Sequence, residues 1–425
     1  MSKYVILMLG LFCITANAAV INVPADQPTI QDGINAASEG DTVLVAPGTY
    51  TGDGNRRIDP DSLNIVIISS DGPATTIIDC QGSESDLQFA FNIHGGQDST
   101  FVIEGFTITG SSHSSWDSAA VSVQKASLTI RNCDLLNNEG LAIYMYGSYP
   151  IWRTLQIENC RINHNNGDAA IFGDYAIIRI FDSEFGHNAH SGFQAWQIIE
   201  FEVEGSVFHH NPGTGLGFSQ WSPNCRLANC TFAYNGTGLS MEWDYPKGDT
   251  PEFTATFDSS GMTGCIASLN DYYGVYMASP YDYYMTCNDV FGNGLEDWLS
   301  TSEYYDGDPY GNFALDPQFC DAANDFFGIS SGSPCTPTNN SCGVLIGSEA
   351  VGCACCAIRG DVNHSGAETD ISDLVYLVAY MFMQGPAPFC PDEGDIDGDG
   401  DIDITDLVSL VNYMFHGGEA PVPCE

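Results

Sequence analysis

Five segments follow one another with almost no slack: LTIRNCDLLNN (128–138), LQIENCRINHN (155–165), IRIFDSEFGHN (178–188), FEVEGSVFHHN (201–211) and RLANCTFAYN (226–235). Aligned on Cys133, Cys160, Ser183, Ser206 and Cys230, they step by 27, 23, 23 and 24 residues. An apolar residue stands three places before each of these (Ile130, Ile157, Ile180, Val203, Leu227). Another stands two places after (Leu135, Ile162, Phe185, Phe208, Phe232). An Asn closes every segment: Asn138, Asn165, Asn188, Asn211 and Asn235. Two looser segments continue the series around Cys265 with Asn270 and around Asn288 with Asn293. A fixed period of about 20–30 residues means stacked supersecondary units, not one globular core.

Strand side chains alternate between faces. Leu128, Leu155, Ile178, Phe201 and Cys225 are therefore expected to form one inward column, and Ile130 through Leu227 a second. Two outward columns interleave with them: Thr129, Gln156, Arg179, Glu202, Arg226, and Arg131, Glu158, Phe181, Glu204, Ala228. Charge alternates along Arg179, Glu202 and Arg226, and Arg131 falls beside Glu158. Opposed charges on neighbouring strands contribute about 0.2–1 kcal/mol a pair. The Asn column is expected at a tight turn, where Asn tolerates left-handed backbone and stacked amides bond from rung to rung. That role is structural. FVIEGFTI (101–108) reads as an earlier rung, with Ile103 and Ile108 in the two apolar positions.

The chain opens MSKYVILMLGLFCITANA, one basic residue, an apolar run and Ala16-Asn17-Ala18, the pattern of a secretory signal peptide over 1–18. Phe12 before Cys13 argues against a lipid anchor, and no later stretch is apolar enough to span a bilayer. Extracellular or cell-surface localisation follows. Removing Lys3 takes the formal charge from -44 to about -45, which argues against nucleic acid or an anionic membrane as partner. Of the 16 cysteines one lies in the leader; in an exported chain most of the others are expected to pair. Cys133 and Cys160, on adjacent rungs, read as either a disulfide or two stacked buried thiols, with thiols favoured.

Residues 20–50 begin with an apolar helix pattern (Ile30, Ile34, Ala37) that ends at Glu39-Gly40-Asp41 and is followed by a buried strand, TVLVA. This resembles the N-terminal cap and first rung of right-handed parallel β-helix proteins, the pectin-lyase-like superfamily. The resemblance implies an all-β solenoid over 19–315. Relatives in that superfamily include polysaccharide lyases, glycoside hydrolases and non-catalytic surface proteins. A lyase needs clustered acidic residues and a base to take a proton from the uronate. The mature chain has ten Lys and Arg; Arg56 and Arg57, near Asp59 and Asp61, are the best base candidates. No Gly-His-Gly stretch of the polygalacturonase type occurs. The balance therefore falls toward binding a polysaccharide or surface ligand, with the enzyme and a purely structural adhesion role as alternatives.

Three features could recognise a ligand. MEWDYPKGDTPEFTATF (241–257) reads as an inserted loop, with Glu242, Trp243 and Asp244 as the candidate cleft. Tyr146, Phe172, Trp196, Phe218 and Trp243 each lie seven or eight places after a ladder Asn. Alternation allows an outward sugar-stacking stripe or an inward stack, and the core is favoured. His164, His187 and His210 each precede the ladder Asn and should stack, with Tyr234 continuing the column. They read as exposed turn residues in preference to transition-metal ligands.

Residues 316–359 read as a Cys-rich closing segment and neck. Beyond them GDVNHSGAETDISDLVYLVAYMF (360–382) is echoed by GDIDGDGDIDITDLVSLVNYMF (394–415). The second copy holds a calcium-loop pattern: Asp395, Asp397 and Asp399, then Gly400 for the turn, the Asp401 carbonyl, and Asp406 at position 12. Asp361, Asn363, Ser365 and Asp373 repeat it with one extra residue after Gly366, which predicts a second, weaker calcium site. A loop-helix unit duplicated in this way resembles the dockerin type I domain, over 360–425. That resemblance implies paired half EF-hands, two calcium ions, and a cohesin-like or cell-surface partner contacted through Ile371, Ser372, Ile404 and Thr405.

Overall fold

In the computed structural model, residues 18–423 are described apart from 113–118, 149–150, 221–223, 244–260, 279–283, 301–309, 352–357, 364, 366–368, 384, 386–387 and 389. The chain divides into two compact units, residues 1–314 and 315–425.

The first unit is a parallel β-helix with three faces. Its first sheet has eleven strands, from Val20–Val23 to Tyr284–Thr286; its second has ten, from Gly48–Tyr50 to Asp289–Phe291; its third has nine, from Phe91–Ile93 to Glu296–Ser300. From Val66–Ser69 onward consecutive strands visit the three sheets in turn, so each coil of chain adds one rung to each face. Leu128 pairs with Leu155, Ile178 with Phe201, and Phe201 with Cys225, all parallel and in register. Both inward columns of the first sheet are fully buried, as is the Leu135-to-Phe232 column of the second. Within that last column Phe185 stacks on Phe208 at 4.7 Å and Phe208 on Phe232 at 5.3 Å between ring centroids. The Tyr-rich stretch after Asn270 continues the solenoid with strands Tyr273–Ala278, Tyr284–Thr286 and Asp289–Phe291.

A helix, Ile30–Ala36, packs on the first strands. Thr29 caps it by accepting from the Asp32 N–H, and Ile30 and Ile34 are buried with Val23 and Val43. Gly33 is needed there: a Cβ would stand 2.9 Å from both valines.

The Asn column forms an unbroken buried ladder. In each link an Asn donates its Nδ2 and its backbone N–H to Oδ1 of the next Asn, as Asn188 does to Asn211 at 3.0 and 3.1 Å. The chain of amides runs from Asn138 to Asn293 and ends on Asp297 Oδ1. Each Nδ2 also bonds backward to a strand carbonyl, Asn188 to Ile162 O at 3.0 Å. One expectation is corrected. The left-handed residue is the one before the Asn: Asn137, His164, His187, His210, Tyr234 and Leu269 have φ between 49° and 60°. The corner turns at that residue, which leaves the Asn in ordinary backbone geometry with its amide pointing inward.

Cys287, Cys320, Cys342 and Cys390 are disulfide-bonded, whereas Cys80, Cys133, Cys160, Cys225, Cys230, Cys265 and Cys335 are buried and carry no disulfide. In the ladder they act as small apolar fillers whose thiols face strand carbonyls, Cys133 toward Arg131 O at 3.3 Å and Cys160 toward Glu158 O at 3.3 Å. Burial pushes the Cys133 thiol up to about 12, so it carries no thiolate at neutral pH.

The charge ladder exists: Glu202 lies 3.9 Å from Arg179 and 3.0 Å from Arg226, as expected, and only Arg131 takes another partner. Arg131 bonds Glu104 at 2.7 Å, not Glu158. Both carboxylates flank it in register, but Asn132 fixes Glu104 and Gln156 holds Glu158. Arg226 reaches Glu202 and Glu204 at 3.0 and 2.8 Å, while Arg179 bonds Glu200 at 2.6 Å.

In the second unit two helices, Ile371–Met383 and Ile404–His416, follow the duplicated loops. Val362, Leu377, Ile396 and Leu410 share one small core, and each residue of one copy has its counterpart in the other.

Candidate functional sites

The outer face of the third sheet carries the most distinctive surface. Tyr144, Phe172, Gln194, Gly217, Ser240 and Tyr276 follow one another in one outward column. Tyr144 stacks on Phe172 at 6.1 Å, and Phe172 meets Trp196 edge-to-face at 5.1 Å. Gly217 then leaves the column without a side chain, and a groove of about 290 Å³ opens there. Gln194, Trp196, Thr214, Ser219, Ser240 and Glu242 line it. Trp196 is 54% exposed, so its face is available for contact. An aromatic wall beside amide, hydroxyl and carboxylate groups suits a flat polyhydroxylated ring.

This surface differs from both sequence expectations. The five aromatics do not share a column: Tyr146 pairs with Asp174, Phe172 with Gln194, and Phe218 with Ala195. Phe218 is core, whereas Trp196 points out. The turn between the Asn and the third strand varies in length from rung to rung, and a one-residue difference flips the face. Glu242 lies on the strand Thr237–Trp243, not on an inserted loop. Asp244 and the Trp243 side chain, with the loop beyond, fall outside the described residues.

The histidine column is present as expected. His164 stacks on His187 at 5.1 Å, His187 on His210 at 4.8 Å, and His210 on Tyr234 at 4.8 Å, all within 20° of parallel. Sequence reasoning missed His209 beside it. That residue is 1% exposed, with Nε2 3.2 Å from Glu184 Oε1 and Nδ1 3.1 Å from His210 Nδ1. Burial raises the Glu184 carboxyl, but the hydrogen bond and charge of His209, with Asn163 and Arg161, outweigh it and hold Glu184 below its usual value.

In the second unit the loop carboxylates gather backbone N–H groups. Asp395 accepts from Gly398, Asp399 and Gly400 at 2.9–3.1 Å. Asp406 accepts from Ile396 and Asp397 at 2.7 and 3.2 Å and from Asp403 at 2.7 Å. The first loop repeats this: Asp361 accepts from Ser365 at 2.9 Å, and Asp373 from Asn363 at 3.1 Å and Asp370 at 2.8 Å. Asp395, Asp397 and Asp399 bring carboxylate oxygens within 4.8 Å of one another. Arg359 lies 3.0 Å from Asp395 and is the counter-charge there. Asp401 donates its N–H to Asp399 Oδ1 at 3.0 Å. Ile371 and Ile404 are 57% and 54% exposed, while the Ser372 and Thr405 hydroxyls are each bonded to a helix-capping Asp at 2.6 Å.

Arg56 and Arg57 are occupied. Arg56 bonds the Cys80 carbonyl at 3.1 Å, and Arg57 bonds Gln88 at 2.9 Å and the Leu87 carbonyl. Asp59 faces His94 instead of either arginine. A second groove, about 510 Å³, runs along the first sheet between Arg131, Glu158, Phe181, Asp182 and Glu204. No helix among the described residues is long and apolar enough to cross a membrane.

Residues 90–250 match the family model described as right handed beta helix region. The mouse SHC SH2 domain-binding protein 1 is 28% identical over 253 residues, 57% of this chain and 34% of that protein. The chain thus spans about a third of the length of the curated relative it matches. Among solved structures, ORF18 of Geobacillus virus E2 is 14% identical, with a TM-score of 0.35, covering 70% of this chain and 61% of that one. A mannuronic acid specific polysaccharide family 6 lyase from human gut microbiota is 12% identical, with a TM-score of 0.32, covering 70% and 91%.

Proposed function

We propose that the solenoid binds a polysaccharide across the outer face of its third sheet, and that the C-terminal unit attaches the exported protein to a partner through calcium. The observation that carries the first half is the gap at Gly217, walled by Trp196 and floored by hydroxyl and amide groups. Equivalent positions on successive rungs are about 4.8 Å apart. One missing side chain therefore opens a slot about two rungs wide, in which a sugar ring can lie against the indole. Glu242 at its edge favours a neutral or cationic glycan over a uronate.

The calcium half rests on two loops that hold their acidic residues in the same way, with the closing Asp of each buried. Hard cations take six or more oxygens, and the second loop offers more carboxylates than the first. The exposed pairs Ile371 and Val375, and Ile404 and Val408, give each helix an equivalent apolar patch for a cohesin-like or cell-surface partner. Export is consistent with Cys287, Cys320, Cys342 and Cys390 being disulfide-bonded.

The test is a glycan array probed with the full chain and with Trp196→Ala. About tenfold weaker binding by the variant, with unchanged melting, is expected; equal binding would remove the groove from the account. Calcium titration of the full chain should give two sites, the tighter lost in Asp406→Ala and the weaker in Asp373→Ala. A chain that binds no calcium ends the second half.

A second reading is a lyase or hydrolase acting in the first-sheet groove, which Arg131, Glu158, Asp182 and Glu204 line. Arg131 and Glu204 are already paired with Glu104 and Arg226, which argues against it. Release of unsaturated products or reducing ends from any polysaccharide would reverse that judgement.

A further inference from the structure

The residues around His209 make a more specific arrangement than a stack of turn residues requires. We propose that His187, His209 and His210 form a site for a divalent transition metal of the zinc class. These three histidines bring one ring nitrogen each within 4.8 Å of one another. Nδ1 of His209 and Nδ1 of His210 are 3.1 Å apart. Two imidazole nitrogens on one zinc, each at about 2.0–2.1 Å in tetrahedral geometry, stand about 3.3 Å apart. The pair is thus near ligand spacing, and the His187 ring, stacked 4.8 Å over that of His210, must turn out of the stack to complete the set.

Glu184 fixes which nitrogen of His209 is available. Its carboxylate lies 3.2 Å from Nε2 and accepts the hydrogen there, which leaves the lone pair on Nδ1, the atom that faces His210. A carboxylate behind a histidine ligand is the arrangement that orients and strengthens metal-binding imidazoles. Glu184 is itself held by Asn163, whose Nδ2 donates to it and whose Oδ1 accepts the Gly186 N–H at 2.7 Å.

Gly186 makes the geometry possible. The His209 ring lies across it, and a Cβ at that position would stand 2.3 Å from both Cε1 and Nε2 of the ring. Neighbouring rungs carry Asn163 and Ala233 at the equivalent register, so the rung beneath the buried imidazole is the one that lacks a side chain. A hydrogen bond between His209 and His210 accounts for their contact alone. Imidazole nitrogens select zinc, copper, nickel or cobalt over calcium, so this site and the acidic loops take different ions.

The test uses the untagged full chain, stripped of metal and then saturated with calcium. Cobalt is titrated and followed by its visible ligand-field absorption, and zinc by calorimetry. One equivalent of cobalt, displaced by zinc, is expected. Glu184→Gln should weaken zinc binding about 10–100-fold while leaving the far-ultraviolet circular dichroism unchanged. Gly186→Ala should weaken it by moving the His209 ring. Since His209→Ala removes a buried ring and can unfold its rung, the decisive variant is His187→Ala with His210→Ala, both at the turn. Loss of the stoichiometric site in that variant supports the proposal. Unchanged affinity in it, or no stoichiometric cobalt binding by the native chain, overturns it.

Discussion

The amide ladder of the solenoid and the acidic loops of the C-terminal unit are both built by repetition, and they use it in opposite ways. In the ladder each Asn satisfies the one before it, so the polar groups of one rung are closed by the next. The loops also repeat several of their hydrogen bonds, but these converge on carboxylates, and in the second loop the oxygens of three Asp lie within 4.8 Å of one another. The first arrangement is complete in itself. The second is the one in which we propose a cation. Repetition alone therefore does not distinguish structure from function; what matters is whether the repeat satisfies its own polar groups.

The largest expected effect breaks the ladder. Asn188→Ala removes the acceptor for the Asn165 N–H and Nδ2 and both side-chain donations of Asn188 itself, to Ile162 O and Asn211 Oδ1. Net loss of several buried bonds, with groups left unsatisfied, should cost about 4 kcal/mol. Denaturant unfolding measures it. Asn293→Ala, at the less buried end where Asp297 is the acceptor, should cost roughly half as much, because a solenoid rung depends on its nearest neighbours. Equal losses at the two positions would mean that the ladder is not read rung by rung.

The inward columns were legible because an error of one residue in any segment would have put an apolar side chain in water. The Asn positions were legible for the same reason: five identical polar residues at a fixed phase point to one repeated turn. Arg131 could not be assigned a partner from sequence, since Glu104 and Glu158 flank it at equal spacing and only Asn132 and Gln156 break the tie. The groove on the third sheet was missed because Trp196 and Phe218 lie eight and seven places after their Asn on strands of the same register, and that one residue puts the indole outside and the phenyl ring in the core. His209 was hidden by its neighbour. The histidine column one place along carries the plainer pattern, and the signal that His209 matters is Gly186 in the previous rung, a residue with no side chain to notice.

A middle-sized effect tests the open half of the comparison. Burial raises the carboxyls of Asp373 and Asp406, with added repulsion from Asp361 and Asp370 on the first and from Asp397 on the second. A carboxyl raised in the folded state adds stability while it is protonated, and that contribution is lost as the pH climbs past its folded value. In chelator the contribution of Asp373 and Asp406 to the stability of the C-terminal unit should therefore fall as the pH rises above about 4. With saturating calcium the order should invert, because the ion binds the ionised form and acid drives it off. Thermal melts followed by the helical dichroism signal would give curves of opposite slope. Parallel curves with and without calcium would mean that the loops are closed by their own backbone bonds, as the ladder is.

The smallest effect concerns charges that the solenoid pairs on its surface. Arg226 bonds Glu204 and Glu202 with both partners partly exposed, and these contacts, led by the Glu204 hydrogen bond, push the guanidinium above its usual value. Exposed ion pairs on a strand face are screened by water, so Arg226→Ala should cost only about 0.2–1 kcal/mol, shrinking as salt is added. The double variant with Glu204→Ala should then cost little more than either single change, since removing the arginine already ends the interaction. If Arg226→Ala instead matched Asn188→Ala, the outer columns would be holding the rungs together as strongly as the buried amides do. The distinction between satisfied interior and adjustable surface would then have to be drawn elsewhere on this solenoid.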